Sequence, residues 1–328
     1  LRYKKGNMPL ECGGKSEYDN GNGSLMRILP VLYYLQSIYG TDFQEIDEAY
    51  NIIHNVSSLT HGHKRSLMAC AIYISIASQL LGNTDLKLAV RLGIDRALEY
   101  YRMQHEFQSE VKYFYRLESN NFKELPVDDI KSDGYVVSTL EAAIWCLLNT
   151  DDYKSCVLKA INLGSDTDTV GAVAGGLAGI KYGYEAIPNE WKRKMAKRDF
   201  IENLCKELYL KLTRNSVDKL LSYIPYFETV TADRVCQRVG GEKIGENRYV
   251  AGYLVYDEKL LEFVDTFYKS NLIVYDYMNV IDRNNLENTE QINRAIDTAD
   301  IELLKAILTG YIRQERFGDG LWEDAVRD

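Results

Sequence analysis

The chain has 328 residues, enough for two domains and a sizeable buried core. Its 48 acidic residues outweigh 39 basic ones, for a formal charge of −9. That balance excludes broad binding to nucleic acid or an anionic membrane, because no basic surplus is left to neutralise phosphates, although one small anion held through a metal stays compatible with it. The six cysteines, at 12, 70, 146, 156, 205 and 236, are scattered without a Cys-x-x-Cys pair. They read as reduced core residues, and with no run of membrane length and no secretory signal the expected compartment is cytoplasmic.

The first turn signal is Asp19-Asn20-Gly21-Asn22-Gly23-Ser24. Two Asn-Gly pairs in succession make a tight turn whose backbone amides can cradle a phosphate at a helix start; an ordinary loop capped by Ser24 fits the same residues. From 25 to 212 the pattern is helical almost throughout. Residues 68–81, 86–103, 137–148 and 152–163 carry apolar side chains three and four apart, and no strand alternation stands out. Thr60-His61-Gly62-His63 precedes the first of these runs. Two histidines so spaced can bind zinc, but no cysteine or third histidine lies nearby, so one histidine lining a pocket is the stronger reading. His54 and His105 have no comparable context. Pro126 marks a break over 123–134. Glu141 lies in the next helical run, although Ser138-Thr139-Leu140-Glu141 also reads as a surface turn.

Gly164-Ser165-Asp166-Thr167-Asp168-Thr169 follows and is the most informative segment. Two carboxylates and neighbouring hydroxyls offer only oxygen, which hard divalent cations prefer. Gly171, Gly175, Gly179 and Gly183 then recur every four residues, leaving a bare helix face for a neighbouring helix to approach. Three other readings fit parts of this segment. Asp166 or Asp168 could serve only as an N-cap. The glycines resemble a membrane dimer stripe, but the apolar run is too short and ends at Lys181. An Asp-x-Asp-x-Thr nucleophile loop of a phosphate-transferring hydrolase would follow a buried strand, whereas Cys156, Val157, Ala160, Ile161 and Leu163 have helical spacing.

Near 213–216 the character changes, with Ser216 placed to cap a new helix that Ile224-Pro225-Tyr226-Phe227 interrupts. Gly240-Gly241 and Gly245-Glu246-Asn247 flank short segments, and Tyr249-Val250-Ala251-Gly252-Tyr253-Leu254-Val255-Tyr256 is β-prone, so a short β-hairpin fits there. Helical patterns resume at 258–269, 289–298 and 300–317. The expected organisation is an all-α domain over 1–213 and a small, mostly helical domain over 216–328.

Asn20-Gly21-Asn22-Gly23-Ser24-Leu25-Met26-Arg27, Leu59-Thr60-His61, the segment 164–169 and Tyr182-Gly183-Tyr184-Glu185-Ala186-Ile187-Pro188-Asn189-Glu190-Trp191 resemble the ADP-ribosylglycohydrolase family in order and spacing. The resemblance spans about 1–212. It implies an orthogonal helical bundle of ADP-ribosylglycohydrolase type around two magnesium ions, with manganese as the other cation, that removes ADP-ribose from a modified protein side chain or a small ADP-ribose conjugate. By position it implies metal ligands at Asp166, Asp168 and Thr169, and substrate contacts at Asn20, Gly21, Asn22, Gly23, Ser24 and His61. The family's leading Thr/Ser-Asp-Asp cluster, and the acidic residue beside its catalytic water, have no counterpart before Asn20. No catalytic residue is therefore assigned within the chain, and weak magnesium binding by this chain alone is expected; the other half would lie in a missing N-terminal segment or in a partner, or would have been lost. The alternative is a non-catalytic ADP-ribose-binding module. A phosphate-transferring hydrolase with Asp166 as nucleophile is a third reading, and it requires a parallel sheet.

Residues 216–328 resemble a small bacterial domain of unknown function. Tyr253, Tyr256, Phe263, Phe267, Tyr268, Tyr275 and Tyr277 suit a core or an interaction surface, and target recruitment is the expected role. Arg313, Glu315, Arg316 and Asp319 read as a solvated ion-pair face.

Overall fold

The computed structural model describes residues 3–40, 43–82, 84–239, 243–245, 248–249, 253–270, 272–274, 276–286 and 288–315. The chain divides into two compact units, Leu1–Leu204 and Cys205–Asp328. The first holds helices α1 (Pro30–Tyr39), α2 (Asp47–Ser58), α3 (Lys64–Leu81), α4 (Leu86–Met103), α5 (Gln108–Val111), α6 (Val136–Leu148), α7 (Tyr153–Ile161), α8 (Thr167–Tyr182) and α9 (Asn189–Lys194). Helix α10 (Arg198–Leu221) runs across the division.

Two helices form the centre of the first unit. Helix α3 is buried continuously from Arg65 to Ser78, and α6 from Val136 to Leu147. A helix apolar on every side has to be surrounded, and α2, α4, α6 and α8 pack around α3. Helix α4 shows the one-sided counterpart: Ala89, Val90, Ile94, Ala97, Leu98 and Tyr101 are buried on one stripe, and Asp85 caps the helix by accepting from the Lys87 and Leu88 amides. Each fully buried leucine or isoleucine contributes about 1.5–3 kcal/mol. The 138–141 segment is interior helix and not a surface turn: Thr139 and Glu141 are both buried.

Helix α7 lies along the glycine face of α8. A Cβ at Gly171 would stand 2.9 Å from Ile161 Cγ2, and one at Gly175 would stand 3.4 Å from Val157 Cγ2. Gly183 does not belong to that face. It ends α8 at the C-cap with φ +81. Asp166 follows α7 and opens α8, and the strands among the described residues are antiparallel pairs in the second unit, so the parallel sheet of a phosphate-transferring hydrolase is overturned.

The second unit contains α11 (Ile224–Thr229), α12 (Ala232–Val235), β1 (Cys236–Val239), β2 (Lys243–Gly245), β3 (Arg248–Tyr249), β4 (Tyr253–Tyr256), α13 (Glu258–Lys269), α14 (Tyr277–Arg283), α15 (Thr289–Ile296) and α16 (Ile301–Glu315). Strand β1 pairs antiparallel with β4 and β2 with β3, so the β-prone run beginning at Tyr249 contributes to two different pairs. Gly240, Gly241, Glu246, Asn247, Val250 to Gly252, Tyr275, Arg316 and Asp319 lie outside the described residues. Ser216 does not start a helix, because α10 runs through it; Val217 and Leu220 continue its apolar row into the core that includes Leu260, Phe263, Phe267 and Ile312. Phe263 and Phe267 are therefore core residues, whereas Tyr253 is exposed. Cys70, Cys146 and Cys156 are buried thiols, but Cys205 is exposed and Cys12 only half-buried, which corrects the expectation of core positions for both.

Candidate functional site

Four segments distant in sequence meet in the first unit. The turn 20–24 is held on one side by the Asn22 amide donating to Gly134 O (3.2 Å) and the Val136 amide donating to Asn20 O (3.0 Å). On the other side, the Gly13 amide donates to Ser58 O (2.9 Å) and the Gly62 amide to Gly14 O (2.8 Å), which fixes the segment leading into the turn beside His61. The acidic turn joins through the Asp166 amide, which donates to Ser132 O at 2.9 Å, while the Ser132 hydroxyl donates to Gly164 O at 3.0 Å. Segment 132–136 thus carries the glycine-rich turn on one edge and the acidic turn on the other.

His61 packs directly against the turn. A Cβ on Gly23 would stand 2.8 Å from the His61 Cε1 atom and one on Gly21 would stand 3.1 Å from Nε2, so a side chain at Gly23 would displace the ring. His61 Nδ1 lies 2.7 Å from the Thr60 hydroxyl, which also accepts from Arg27 Nη1 at 2.6 Å. Burial, then the Arg27 charge, lower the imidazole pKa, against an opposing pull from Asp19, so the ring is neutral at pH 7. His63 acts elsewhere. Its Nδ1 accepts from the Arg65 amide at 3.2 Å and caps α3, so the two histidines do not form a zinc pair.

The turn's side chains face inward. Ser24 stands at the N-cap position but makes no capping bond; it is buried and accepts from the Cys70 thiol at 3.5 Å, so the capping role read for it is not the one its hydroxyl plays. Asn20 donates to Glu17 O at 2.9 Å, and its Oδ1 is buried with no partner among the described residues. Asn22 reaches across to the acidic turn, donating from Nδ2 to Asp166 Oδ2 at 2.7 Å. Gly164 (φ +83) and Ser165 (φ +54) both adopt left-handed backbone immediately before Asp166.

Asp166 occupies the N-cap position of α8; its carboxylate makes no well-directed capping bond, although the Thr169 amide is close enough to help lower its pKa. The Asn22 amide is the main cause that lowers its pKa, followed by the Thr169 hydroxyl and the Asp168 carboxyl close by, with burial opposing. Thr169 is buried and its hydroxyl lies 3.6 Å from the Met26 thioether, a weak acceptor. Asp168 is exposed.

Residues 1–217 match the family model for ADP-ribosylglycohydrolase. The chain belongs to the ADP-ribosylglycohydrolase family. Residues 212–328 match a family of unknown function, DUF6508. The chain is 30% identical over 189 residues to an ADP-ribosylarginine hydrolase, Tri1, from Serratia proteamaculans, covering 58% of this chain and 46% of that protein. It is 31% identical over 180 residues to the ADP-ribosyl-[dinitrogen reductase] glycohydrolase of Rhodospirillum rubrum, covering 55% and 52% of the two chains. To human ADP-ribosylhydrolase ARH3 it is 24% identical over 206 residues, covering 56% and 55%. The chain spans about half the length of the curated relatives it matches.

The two-magnesium centre expected from the resemblance would need more donors than one turn provides. Among the described residues, no group of three or more His, Cys, Asp or Glu side chains is placed to hold a metal ion. Asp166, Asp168 and the Thr169 hydroxyl are clustered and are all hard oxygen donors, with the buried hydroxyl set against the Asp166 carboxylate as well as the Met26 thioether. That set fits one side of a hard-cation site.

Several residues that build this site carry no obvious sequence signal. Ser132 and Gly134 supply backbone to both turns, and Thr139 lies 2.8 Å from Asn22 Nδ2. Arg65, buried, donates to Glu17 (2.6 and 3.0 Å) and Glu110 (2.6 Å) and stacks at 3.4 Å on the Tyr113 ring. A cation in the first turn of a helix opposes the helix dipole, and Lys64-Arg65 at the start of α3 was in principle a signal that carboxylates lie nearby.

Proposed function

We propose that this chain forms the ADP-ribose-binding turn and one side of the divalent-cation centre of an ADP-ribosyl hydrolase. The observation that carries the reading is the 2.7 Å bond from Asn22 to Asp166, which makes the glycine-rich turn and the acidic turn one site. Asp166, Asp168 and Thr169 hold the cation, magnesium by the preference of hard carboxylate and hydroxyl oxygens. When bound, such an ion supplies Lewis acidity toward the anomeric bond and an attacking water. The backbone amides of Gly21 and Gly23 receive the diphosphate at the start of a helical turn, while the Asn22 amide, bonded to Gly134 O, fixes the turn's shape. Neutral His61 supports that turn without adding charge. The substrate is an ADP-ribosylated protein side chain, with arginine the first candidate from the names of two relatives.

A second reading, a module that binds ADP-ribose without cutting it, is favoured by the donor set of two carboxylates and one hydroxyl. One experiment separates the two. Release of free ADP-ribose when the chain is incubated with an ADP-ribosylarginine peptide and magnesium, lowered at least about 100-fold in Asp166→Ala, selects the hydrolase. Saturable binding without release selects the module. If the chain neither binds nor releases ADP-ribose, both are wrong.

A further inference from the structure

A buried threonine stands behind the contact that joins the two turns. The Asn22 side-chain nitrogen has two hydrogens, and the geometry engages both: Nδ2 lies 2.7 Å from Asp166 Oδ2 and 2.8 Å from Thr139 Oγ1. Thr139 is fully buried in α6, and its hydroxyl hydrogen is committed to Asp133 O at 3.1 Å. The hydroxyl oxygen therefore faces Asn22 as an acceptor, and its direction is fixed by a rigid, interior helix. The Asn22 backbone amide is tied to Gly134 O, so the residue has little freedom to rotate. Asn22 itself is only 8% exposed.

From this we infer that Thr139 and Asn22 are positioning residues, with Thr139 aiming the Asn22 amide so that it holds the Asp166 carboxylate in its cation-binding orientation. The inference rests on the reading of Asp166, Asp168 and Thr169 as a cation site. It gives the Asn22 side chain a role other than touching ADP-ribose. Outer partners of this type fix the rotamer of a metal-binding carboxylate, and losing one typically weakens metal binding about 10–100-fold.

The test uses the full chain, labelled with ¹⁵N, and magnesium chloride as the probe. In the wild type, both Asn22 side-chain protons should exchange slowly with water. In Thr139→Val, which preserves shape, one of them should exchange fast, and the magnesium concentration that half-shifts the Asp168 and Thr169 amide signals should rise about tenfold or more. Thr139→Ser, which keeps the hydroxyl, should restore both readings to within about twofold. Asn22→Ala leaves the interior helix untouched and should weaken magnesium binding by a similar factor, with no further loss in the double variant because the two act in series. Asn22 protons that are unchanged in Thr139→Val, or a changed proton with unchanged magnesium binding, would overturn the inference. Slow Asn22 protons in a wild-type chain whose Asp168 and Thr169 signals never respond to magnesium would remove the cation reading and the positioning role with it, leaving only the hydrogen-bonded pair.

Discussion

Gly23 and His61 show how little room the site leaves for variation. The His61 ring fills the volume that a side chain at Gly23 would occupy. Gly23→Ala should therefore displace either the ring or the turn and weaken ADP-ribose binding at least about tenfold by calorimetry, with overall stability lowered by about 1–3 kcal/mol. Ser165 offers the opposite prediction. It holds φ +54 without being glycine, so Ser165→Gly should raise stability by about 0.5–1 kcal/mol in urea unfolding. Glu141 is buried on α6 with Arg116 Nη1 at 3.2 Å. Burial outweighs the Arg116 and Lys131 charges and pushes its pKa from 4.5 up to about 7. Because the folded-state value is the higher one, the stabilisation is complete below about pH 4.5 and is lost as pH rises through about 7. Between pH 5 and 8 the wild type should lose on the order of 3 kcal/mol more stability than Glu141→Gln, as read from unfolding midpoints. Parallel curves for the two proteins would contradict a buried, raised glutamate.

At the scale of elements, the helices were the most legible part of the sequence. The apolar stripes at 86–103 and 258–269 coincide with α4 and α13, because a one-sided core imposes its period on the residues facing it. Ser216 misled because a local capping preference is weaker than the continuing apolar row of Val217 and Leu220. Cys205 was misplaced for a related reason: periodicity defines a face but does not say whether anything covers it. The glycine face of α8 was legible as a close-packing surface, and α7 is the helix that uses it. Gly171→Val should drive Ile161 and α7 away from α8, with a cost of about 1–3 kcal/mol in unfolding. Since α8 begins at the acidic turn, the same variant should also weaken ADP-ribose binding.

Across the first unit, the acidic turn could be read because its donors are adjacent in sequence. Its supports could not, since Asn22 meets Thr139 across 117 positions and Asp166 across 144. A lone serine or threonine carries no mark of a partner so far away, and Ser132 and Thr139 become visible only once the segment before α6 and the first turn of α6 stand between the two turns. Segment 132–136 is therefore the organising feature of the site, because it bonds to both turns and continues directly into the most buried helix. Membership in the ADP-ribosylglycohydrolase family agrees with this arrangement. The chain nevertheless spans only about half of its curated relatives, and a two-metal centre needs donors beyond those of 166–169. Most centrally, 20–24 and 166–169 should respond to one ligand. Titrating ADP-ribose with magnesium into the ¹⁵N-labelled chain should shift the amides of Gly21 to Ser24 and of Asp166 to Thr169 along one saturation curve; shifts confined to one turn, or two curves with different midpoints, would contradict it.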